Sequence, residues 1–440
     1  MESINIWYIK KVDKKLPGVY YKVQKTRQME EFIMKRRILS LVVASVVAAA
    51  SLTGCGSAAG SDTAATTQST ESAAENTESG ETAAAEGTAF KVGGIGPVTG
   101  GAAIYGQAVK NGAQLAVDEI NAAGGVNGAT LELNFQDDEH DAEKAVNAYN
   151  TLKDWGMQML LGTVTSTPCI AVSEKAKDDN MFLLTPSGSA VDCVKYDNAF
   201  RVCFSDPDQG AKSAQYIGEN NLATKVAVIY NSSDVYSSGI YQKFATEAPN
   251  QGIEVVSAEA FTADSNTDFS VQLQKAKDAG AELVFLPIYY TEASIILGQA
   301  DKMGYDPMFF GCDGLDGLLT VEDFDTALAE DVMLLTPFAA DAEDELTQNF
   351  VKAYQDAYGE VPNQFAADAY DGIYAMKAAI EQSGVTPDMS ASDICEAFKG
   401  AMTQISIDGL TGAGMTWSAE GEPNKAPKAV KIKNGAYTAM

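Results

Sequence analysis

The sequence predicts an α/β protein with two doubly wound lobes. Short apolar runs alternate with amphipathic segments from residue 89 onwards, which is the pattern of parallel strands covered by helices on both faces. The alternation occurs as two series, one ending near residue 202 and the other starting near residue 209. At 440 residues the chain is also long enough for two or three domains. We therefore expect two lobes with a cleft between them.

The first series contains five predicted strands and three predicted helices. The strands are the apolar runs at residues 90–95, 131–135, 159–161, 181–184 and 198–202. The helices are predicted at 106–123, at 142–154 after a cap at Asp141, and from near Pro168. The first of them has the spacing of an amphipathic helix, with an apolar face formed by Val109, Ala113, Ala116 and Ile120.

The second series continues the same alternation towards the C-terminal region. Its strands are predicted at 225–230, 253–261, 283–287, 308–310 and 332–335. Its helices are predicted at 209–220, 239–248, 269–279 and 291–303. Three more helices, at 341–358, 365–382 and 391–401, precede two closing strands at 412–417 and 429–432.

The central stretch, residues 160–189, places two small, hydroxyl-rich turns after neighbouring strands. We call residues 162–166 the first turn and residues 185–189 the second turn. In a parallel sheet, ligands bind outside the carboxyl ends of the strands. Backbone N–H groups, hydroxyls and a helix N-terminus at this edge could hold a small anion such as a carboxylate. The residues are also compatible with ordinary turn and capping roles, and the stretch alone does not separate the two interpretations.

Charge and composition exclude several classes of function. A net charge of −29 argues against nucleic-acid binding, which needs a basic surface. The single histidine, His140, removes most histidine-based catalytic and zinc schemes; we expect it in a surface loop, with a metal site as the less favoured alternative. The glycine-rich run 93–101 fits neither a dinucleotide fingerprint nor a P-loop, and G-x-S-x-G is absent. We expect no catalysis, no cofactor and no metal.

The N-terminal region predicts an extracytoplasmic, lipid-anchored protein. Basic residues 35–37 precede an apolar stretch, 38–50, and the sequence Leu-Thr-Gly-Cys ending at Cys55 matches a bacterial lipobox. We interpret residues 34–55 as a lipoprotein signal peptide, with Cys55 as the lipidated residue. Residues 56–88 lack large apolar side chains and are predicted to form a disordered tether. Residues 1–33 fit a start codon assigned too far upstream.

The cysteines of the folded region form no CxxC pair. They are Cys169, Cys193, Cys203, Cys312 and Cys395. We expect buried free thiols, although the predicted compartment permits a disulfide.

Several stretches together resemble the leucine/isoleucine/valine-binding proteins, the solute-binding components of branched-chain amino acid ABC importers. They are GGIGPVTGGAAIYGQAVKNGAQLAVDEINAAGGVNG, DDEHDAEKAVNAYNTL, LLGTVTSTPC, LLTPSGSA, FRVCFSDPDQG, VAVIYNSSDVYSSG, LPIYYTEASIILGQADKMGY and FFGCDG. The resemblance extends from residue 89 to the end of the chain.

The resemblance implies a type I periplasmic binding protein fold, in which two lobes joined by a three-strand hinge close on a ligand. It implies a first lobe of residues 89–205 and 337–411, and a second lobe of residues 206–336 and 412–440. It also implies an amino acid ligand, ABC permease subunits as partners and a monomeric state.

The resemblance further implies a set of ligand contacts. On the first lobe they are Tyr105, Val164, Thr165, Ser166, Ser187 and Ser189. On the second lobe they are Asp206, Tyr236, Tyr289 and Asp313. Members of the family commonly have Thr at the position of Ser189 and often Glu at that of Asp313, so the shorter carboxylate could change which amino acid fits.

These residue types suit an amino acid zwitterion. Ser166 and Ser189 can hold the carboxylate by charge-assisted hydrogen bonds, and Asp313 with the Ser187 carbonyl can hold the ammonium group. The three tyrosines would close over the side chain, with the neighbouring Tyr290 pointing away. Alternative ligands in the same fold are a polar or aromatic amino acid, an amide or urea. Presentation of a ligand to a membrane sensor is an alternative role.

Overall fold

The structure is a computed structural model that describes residues 89–440. The predicted signal peptide, the lipidation site Cys55 and the tether at 56–88 lie outside the described residues. Within residues 89–440, no helix combines the length and the apolar character needed to cross a membrane.

The first lobe is built on a five-stranded parallel sheet with the order β2-β1-β3-β4-β5. Its strands are β1 (Ala89–Gly96), β2 (Thr130–Asp137), β3 (Met159–Gly162), β4 (Leu183–Thr185) and β5 (Ala199–Arg201). Helices α1 (Ala103–Ala122), α2 (Ala142–Trp155) and α3 (Ser166–Asp179) connect the first four strands. The predicted cap of α2 is confirmed, because the Asp141 side chain accepts a hydrogen bond from Lys144 N at 2.9 Å.

The glycine-rich run 93–101 begins within β1, which contains Gly93, Gly94 and Gly96, and its remaining residues lead into α1. A Cβ atom on Gly94 would come within 2.3 Å of the Phe135 ring on β2. Glycine is needed here because the neighbouring side chain approaches the backbone closely.

The second lobe is built on a seven-stranded sheet with the order β12-β11-β10-β9-β8-β6-β7. Its parallel strands are β6 (Lys225–Asn231), β7 (Glu254–Phe261), β8 (Leu283–Leu286), β9 (Met308–Gly311) and β10 (Met333–Thr336). An antiparallel pair, β11 (Lys428–Lys433) and β12 (Ala436–Ala439), completes one edge. The connecting helices are α4 (Asp206–Glu219), α5 (Val235–Glu247), α6 (Ser270–Asp278) and α7 (Tyr290–Lys302).

Three further helices return to the first lobe after β10. They are α8 (Glu345–Tyr358), α9 (Gln364–Ser383) and α10 (Ala391–Met402), and they pack against α1 and β3. The chain therefore passes between the lobes after β5, after β10 and before β11, which is the three-strand connection that the resemblance implies. Central strands such as β3 and β8 are buried along their whole length, as parallel strands covered on both faces must be.

Most predicted elements lie within four residues of the observed bounds, but the C-terminal region differs. The strand predicted at 412–417 is wrong: this segment contains only isolated bridges at Met415 and Trp417. It contacts the first lobe, where Trp417 Nε1 donates to Arg201 O at 2.7 Å. We therefore propose that the C-terminal part of the second lobe begins near Pro427 and not at residue 412. For the other lobe boundaries we keep the predicted residues. Strand β12 was not predicted.

The prediction of buried free thiols is confirmed. All five cysteines between residues 89 and 440 are buried and none forms a disulfide in the structure.

Candidate functional site

The two hydroxyl-rich turns lie side by side at one edge of the first sheet. This follows from the pairing of β3 with β4 in parallel, which brings their carboxyl ends together. Thr185 Oγ1 donates to Thr163 O at 2.6 Å, and Ser187 Oγ donates to Val164 O at 2.7 Å. The turns are therefore held to each other by hydrogen bonds.

Two hydroxyls in these turns are available to a ligand. Ser166 Oγ accepts from Ser189 N at 3.2 Å and from Ala190 N at 3.1 Å, which occupies both of its lone pairs and leaves its O–H to donate elsewhere. Ser189 Oγ is buried and makes no hydrogen bond of ordinary geometry with residues 89–440, although it faces the Asp206 carboxylate closely enough to lower the pKa of that group. A buried hydroxyl without a partner is costly, so both groups are suited to an anionic acceptor.

Arg201 supports the second turn from behind. Its fully buried guanidinium donates to Gly188 O at 3.2 Å, to Ala190 O at 3.0 Å and also to Ser189 O. Its Nε lies 3.2 Å from Glu422 in the C-terminal segment. By binding three consecutive carbonyls, Arg201 turns them away from the cavity and fixes the orientation of the turn.

Asp313 provides a buried carboxylate on the second lobe, directly after β9. Its Oδ1 accepts from Tyr236 OH at 2.7 Å and its Oδ2 accepts from Gln209 Nε2 at 3.0 Å. Burial raises the pKa of Asp313 to about 6, because the charged form loses its hydration, while the hydrogen bonds act in the opposite direction.

Asp206 is a second buried carboxylate, at the first residue of α4. Its backbone N–H donates to Ser189 O at 2.9 Å, which ties the start of the second lobe to the second turn. Its Oδ1 is buried and has no hydrogen-bond partner among the described residues. Burial raises the pKa of Asp206 well above its usual range and the charge of Asp313 adds to this, whereas the Ser189 hydroxyl and the charge of Arg201 act in the opposite direction.

Three tyrosine rings meet where the lobes approach each other. Tyr236 stacks on Tyr289 with ring centres 5.0 Å apart, and Tyr105 meets Tyr289 edge-on at 5.4 Å. Tyr105 OH crosses between the lobes to donate to Gly314 O at 2.6 Å. Tyr290, the first residue of α7, does not line the cavity.

Nine of the ten predicted contact residues line one cavity between the lobes. Asp206 is the tenth, and it lines a neighbouring surface groove instead. The cavity is nearly filled by its own side chains: its volume is about 10 Å³, which is room for about one water molecule.

Three residues near the cavity were not predicted as part of the site. Phe365, at the start of α9, lines the cavity with its ring 4.3 Å from that of Tyr105. Gln209 holds Asp313. His140 is half-buried and not solvent-facing, because its Nδ1 lies 2.8 Å from Thr165 Oγ1. Its position after β2 was a usable signal, since the strand-end argument applies there as well as after β3.

A larger cavity, of about 620 Å³, shares no lining residue with the narrow one. It is mostly apolar and is lined by side chains such as Ile104, Phe338, Val351 and Tyr437. It contains none of the predicted contact residues, and its acidic side chains face no matching cation among its lining residues. We therefore take the narrow cavity as the candidate site.

Comparisons with known proteins agree with this architecture. The family model described as periplasmic binding protein matches residues 89–436. A Leu/Ile/Val-binding protein homolog from Brucella melitensis is 30% identical over 68% of this chain and 81% of its own length. A leucine-, isoleucine-, valine-, threonine- and alanine-binding protein from Pseudomonas aeruginosa is 30% identical over 67% and 79%.

Solved structures of solute-binding proteins also match the fold of this chain. The substrate-binding protein LivJ of a branched-chain amino acid transporter from Streptococcus pneumoniae, in complex with isoleucine, has 28% identity and a TM-score of 0.73, covering 80% of this chain and 99% of LivJ. An ABC transporter solute-binding protein from R. palustris in complex with benzoate has 19% identity and a TM-score of 0.72, covering 80% and 95%, and so supports the fold alone.

These proteins are extracytoplasmic solute-binding components of ABC transporters, a family of binding proteins and not of enzymes. The matched residues extend from β1 to β12. The chain belongs to the leucine/isoleucine/valine-binding protein family and has the type I periplasmic binding protein fold.

Proposed function

We propose that the protein binds a branched-chain amino acid, leucine, isoleucine or valine, between its two lobes and delivers it to the permease of an ABC importer. The observation that supports this proposal most strongly is the arrangement around the narrow cavity. Uncharged hydrogen-bond donors face it from the first lobe, and the buried carboxylate of Asp313 faces it from the second. The names of the relatives support the choice of ligand class.

The amino acid carboxylate would bind at the two turns. The free O–H of Ser166 and the unpartnered hydroxyl of Ser189 would donate to it. The N-terminus of α3, which begins at Ser166, would add the positive end of a helix dipole.

The ammonium group would bind on the opposite side. Asp313 would accept from it, and Asp206 would add a second negative charge close to the first. The charge of the ligand would compensate Asp313, which faces no cation at the cavity, and would add to the charge of Arg201 near Asp206. The side chain would lie among Tyr105, Tyr236 and Tyr289, which offer large apolar area.

Binding would require the lobes to separate and close again. An amino acid is much larger than the single water molecule that the cavity admits, so it must enter while the tyrosines are apart. Because its two charged ends contact different lobes, the ligand would stabilise the closed state by its differential affinity for that state. Closed lobes would then be the form presented to the permease, with Cys55 as the proposed lipid anchor.

Ligands of other classes would interact less favourably with the buried carboxylates of the site. An aromatic carboxylate such as benzoate could use the hydroxyls of the turns but would bring a negative charge towards Asp313 and Asp206. A neutral amide or urea would leave those carboxylates uncompensated. The pair of buried carboxylates therefore favours a ligand with a cationic group.

The test is calorimetric titration of the purified protein, unfolded and refolded to remove bound ligand, against the twenty amino acids, benzoate, acetamide and urea. We expect micromolar or tighter binding of leucine, isoleucine or valine. Binding of only a polar or aromatic amino acid would change the specificity and keep the site. Binding of benzoate, acetamide or urea in place of an amino acid would contradict the zwitterion site. Binding of no compound in this panel would contradict it as well.

A further inference from the structure

His140 contacts a lining residue of each lobe without lining the cavity itself. Its Nδ1 lies 2.8 Å from Thr165 Oγ1 in the first turn. Its ring meets the Tyr289 ring of the second lobe edge-on, with ring centres 5.6 Å apart and planes at 81°. Thr165 and Tyr289 both line the cavity. The imidazole therefore lies behind the wall at which the ligand side chain would be placed.

The backbone directs the ring towards this position. His140 has a left-handed conformation, with φ of 61°, and its N–H donates to Asp138 Oδ1 at 2.9 Å. Side chains other than glycine are uncommon in this conformation, in which asparagine, aspartate and histidine are favoured. The local turn thus fixes the direction in which the side chain leaves the backbone, and the contacts with Thr165 and Tyr289 orient the ring.

The imidazole acts here as an uncharged packing and hydrogen-bonding group. Burial lowers the pKa of His140 below its ordinary value of 6.5, and the charge of Asp141 opposes this only in part. A neutral ring packs against an aromatic edge without the hydration that an imidazolium would need.

We propose that His140 is a positioning residue that limits the size of the ligand side chain by holding Tyr289 in place from behind. The proposal rests on the proposed function. With the imidazole present, Tyr289 cannot turn away from Tyr236 and Tyr105, so the site favours aliphatic side chains over aromatic ones. Without it, Tyr289 gains room to move outward and a larger side chain can enter.

The test compares His140→Asn with Glu139→Asn. Asparagine tolerates the left-handed backbone and keeps a polar atom near Thr165, but it lacks most of the ring that contacts Tyr289. Glu139 has the same conformation, with φ of 49°, and is exposed, so it controls for the change of residue in this turn. The affinities for valine, leucine and phenylalanine are measured for the wild type and both variants.

In His140→Asn we expect the ratio of phenylalanine to valine affinity to rise about tenfold, the size of effect that a pocket of altered volume commonly gives. In Glu139→Asn the ratio should stay within twofold of the wild-type value. An unchanged ratio in His140→Asn, or a wild type that already prefers phenylalanine, would overturn the proposal.

A second measurement separates this proposal from the function on which it rests. The chain has one histidine, so NMR titration of the untagged, ligand-free protein reports His140 without ambiguity. Tyr289→Ala should raise the pKa of His140 towards 6.5 by exposing the ring. No shift would overturn the contact and with it the proposal. A wild type that binds no amino acid would instead contradict the proposed function, and the titration would still report on the contact.

Discussion

The two walls of the candidate site are built from different chemistry. On the first lobe, short hydroxyl side chains and backbone groups hydrogen-bond to each other across two neighbouring turns, and none of them is charged. On the second lobe, Asp313 is a buried carboxylate held by a phenol and an amide, and its charge helps to raise the pKa of the buried Asp206. The first wall therefore offers uncharged hydrogen-bond donors. The second wall offers the carboxylate of Asp313, which faces no cationic side chain at the cavity.

This difference gives a physical reason for lobe closure. Neither wall alone satisfies its polar groups: Ser189 Oγ has no hydrogen bond of ordinary geometry among residues 89–440, and Asp313 faces no cation among the residues that line the cavity. A ligand with an anionic end and a cationic end would supply both, but only with the lobes together. Specific closure would then require both charges of the ligand, which a neutral or singly charged molecule does not carry.

The largest expected effect comes from removing the charge of the second wall. Asp313→Ala should weaken amino acid binding by about 2–5 kcal/mol, or roughly 30-fold to several thousand-fold, because the ammonium group would stay buried without its partner. Calorimetric titration measures the loss. Asp306→Ala is the control, because Asp306 precedes β9 whereas Asp313 follows it, and Asp306 is exposed. Affinity within twofold of wild type for Asp313→Ala would show that the site is wrongly assigned.

A substitution in the first wall should weaken amino acid binding by a smaller amount. Ser166→Ala removes the donor to the ligand carboxylate and also the acceptor of Ser189 N and Ala190 N. We expect a loss of about 1.5–3 kcal/mol, the usual range for a hydrogen bond to a charged group. Thr167→Ala provides the control, since the neighbouring hydroxyl residue is exposed. If the two variants bind leucine equally well, the turns do not hold the carboxylate.

The charged wall should also make binding depend on pH. Asp313 has a pKa of about 6 in the ligand-free protein, and only its ionised form attracts the ammonium group. Affinity should therefore be constant above pH 7 and fall as the pH decreases through 6, by at most about tenfold per unit.

Asp313→Asn separates this effect from other groups that titrate in the same range, such as Asp234, whose pKa burial raises to about 6. Binding to the variant should be weak, and it should depend on pH between 5 and 7 less than binding to the wild type does, because only Asp206 is left to titrate beside the ammonium group. A wild-type affinity that rises on acidification would contradict the assignment of Asp313 to the cationic end.

The sequence was sufficient for the parts of the site that follow from local rules. The first and second turns were located because parallel strands place their carboxyl ends at one edge. Asp313 follows β9 in the same way, but it was the family resemblance that predicted it as a ligand contact. His140 follows β2 and could have been found by the same rule.

Contacts between distant segments were not accessible in this way. Phe365 reaches the cavity from α9 only because the chain returns to the first lobe after β10, and no local pattern marks that side chain. The error at residues 412–417 has a related cause. Apolar Met415 and Trp417 have the alternation of a strand, but their burial is against the first lobe and not within a sheet.

The smallest expected effect tests closure itself, at a lining residue whose hydroxyl bonds the other lobe. Tyr105→Phe keeps the ring but removes the hydroxyl that donates to Gly314 O across the lobes at 2.6 Å and accepts from Tyr290 N at 3.3 Å. The closed state should lose about 0.5–1.5 kcal/mol, which weakens binding roughly threefold to tenfold, mainly through faster dissociation. Stopped-flow kinetics with leucine measures both rates.

Tyr305→Phe is the matched control, because the buried Tyr305 hydroxyl donates to Ala281 O at 3.2 Å within the second lobe. It should lower the thermal stability of the protein and leave the dissociation rate unchanged. Because the Tyr105 hydroxyl bonds the other lobe and not the ligand, its loss should affect leucine, isoleucine and valine by the same factor. A different factor for each ligand would mean that Tyr105 reads the side chain directly, and an equal loss in Tyr305→Phe would mean that neither bond reports on closure.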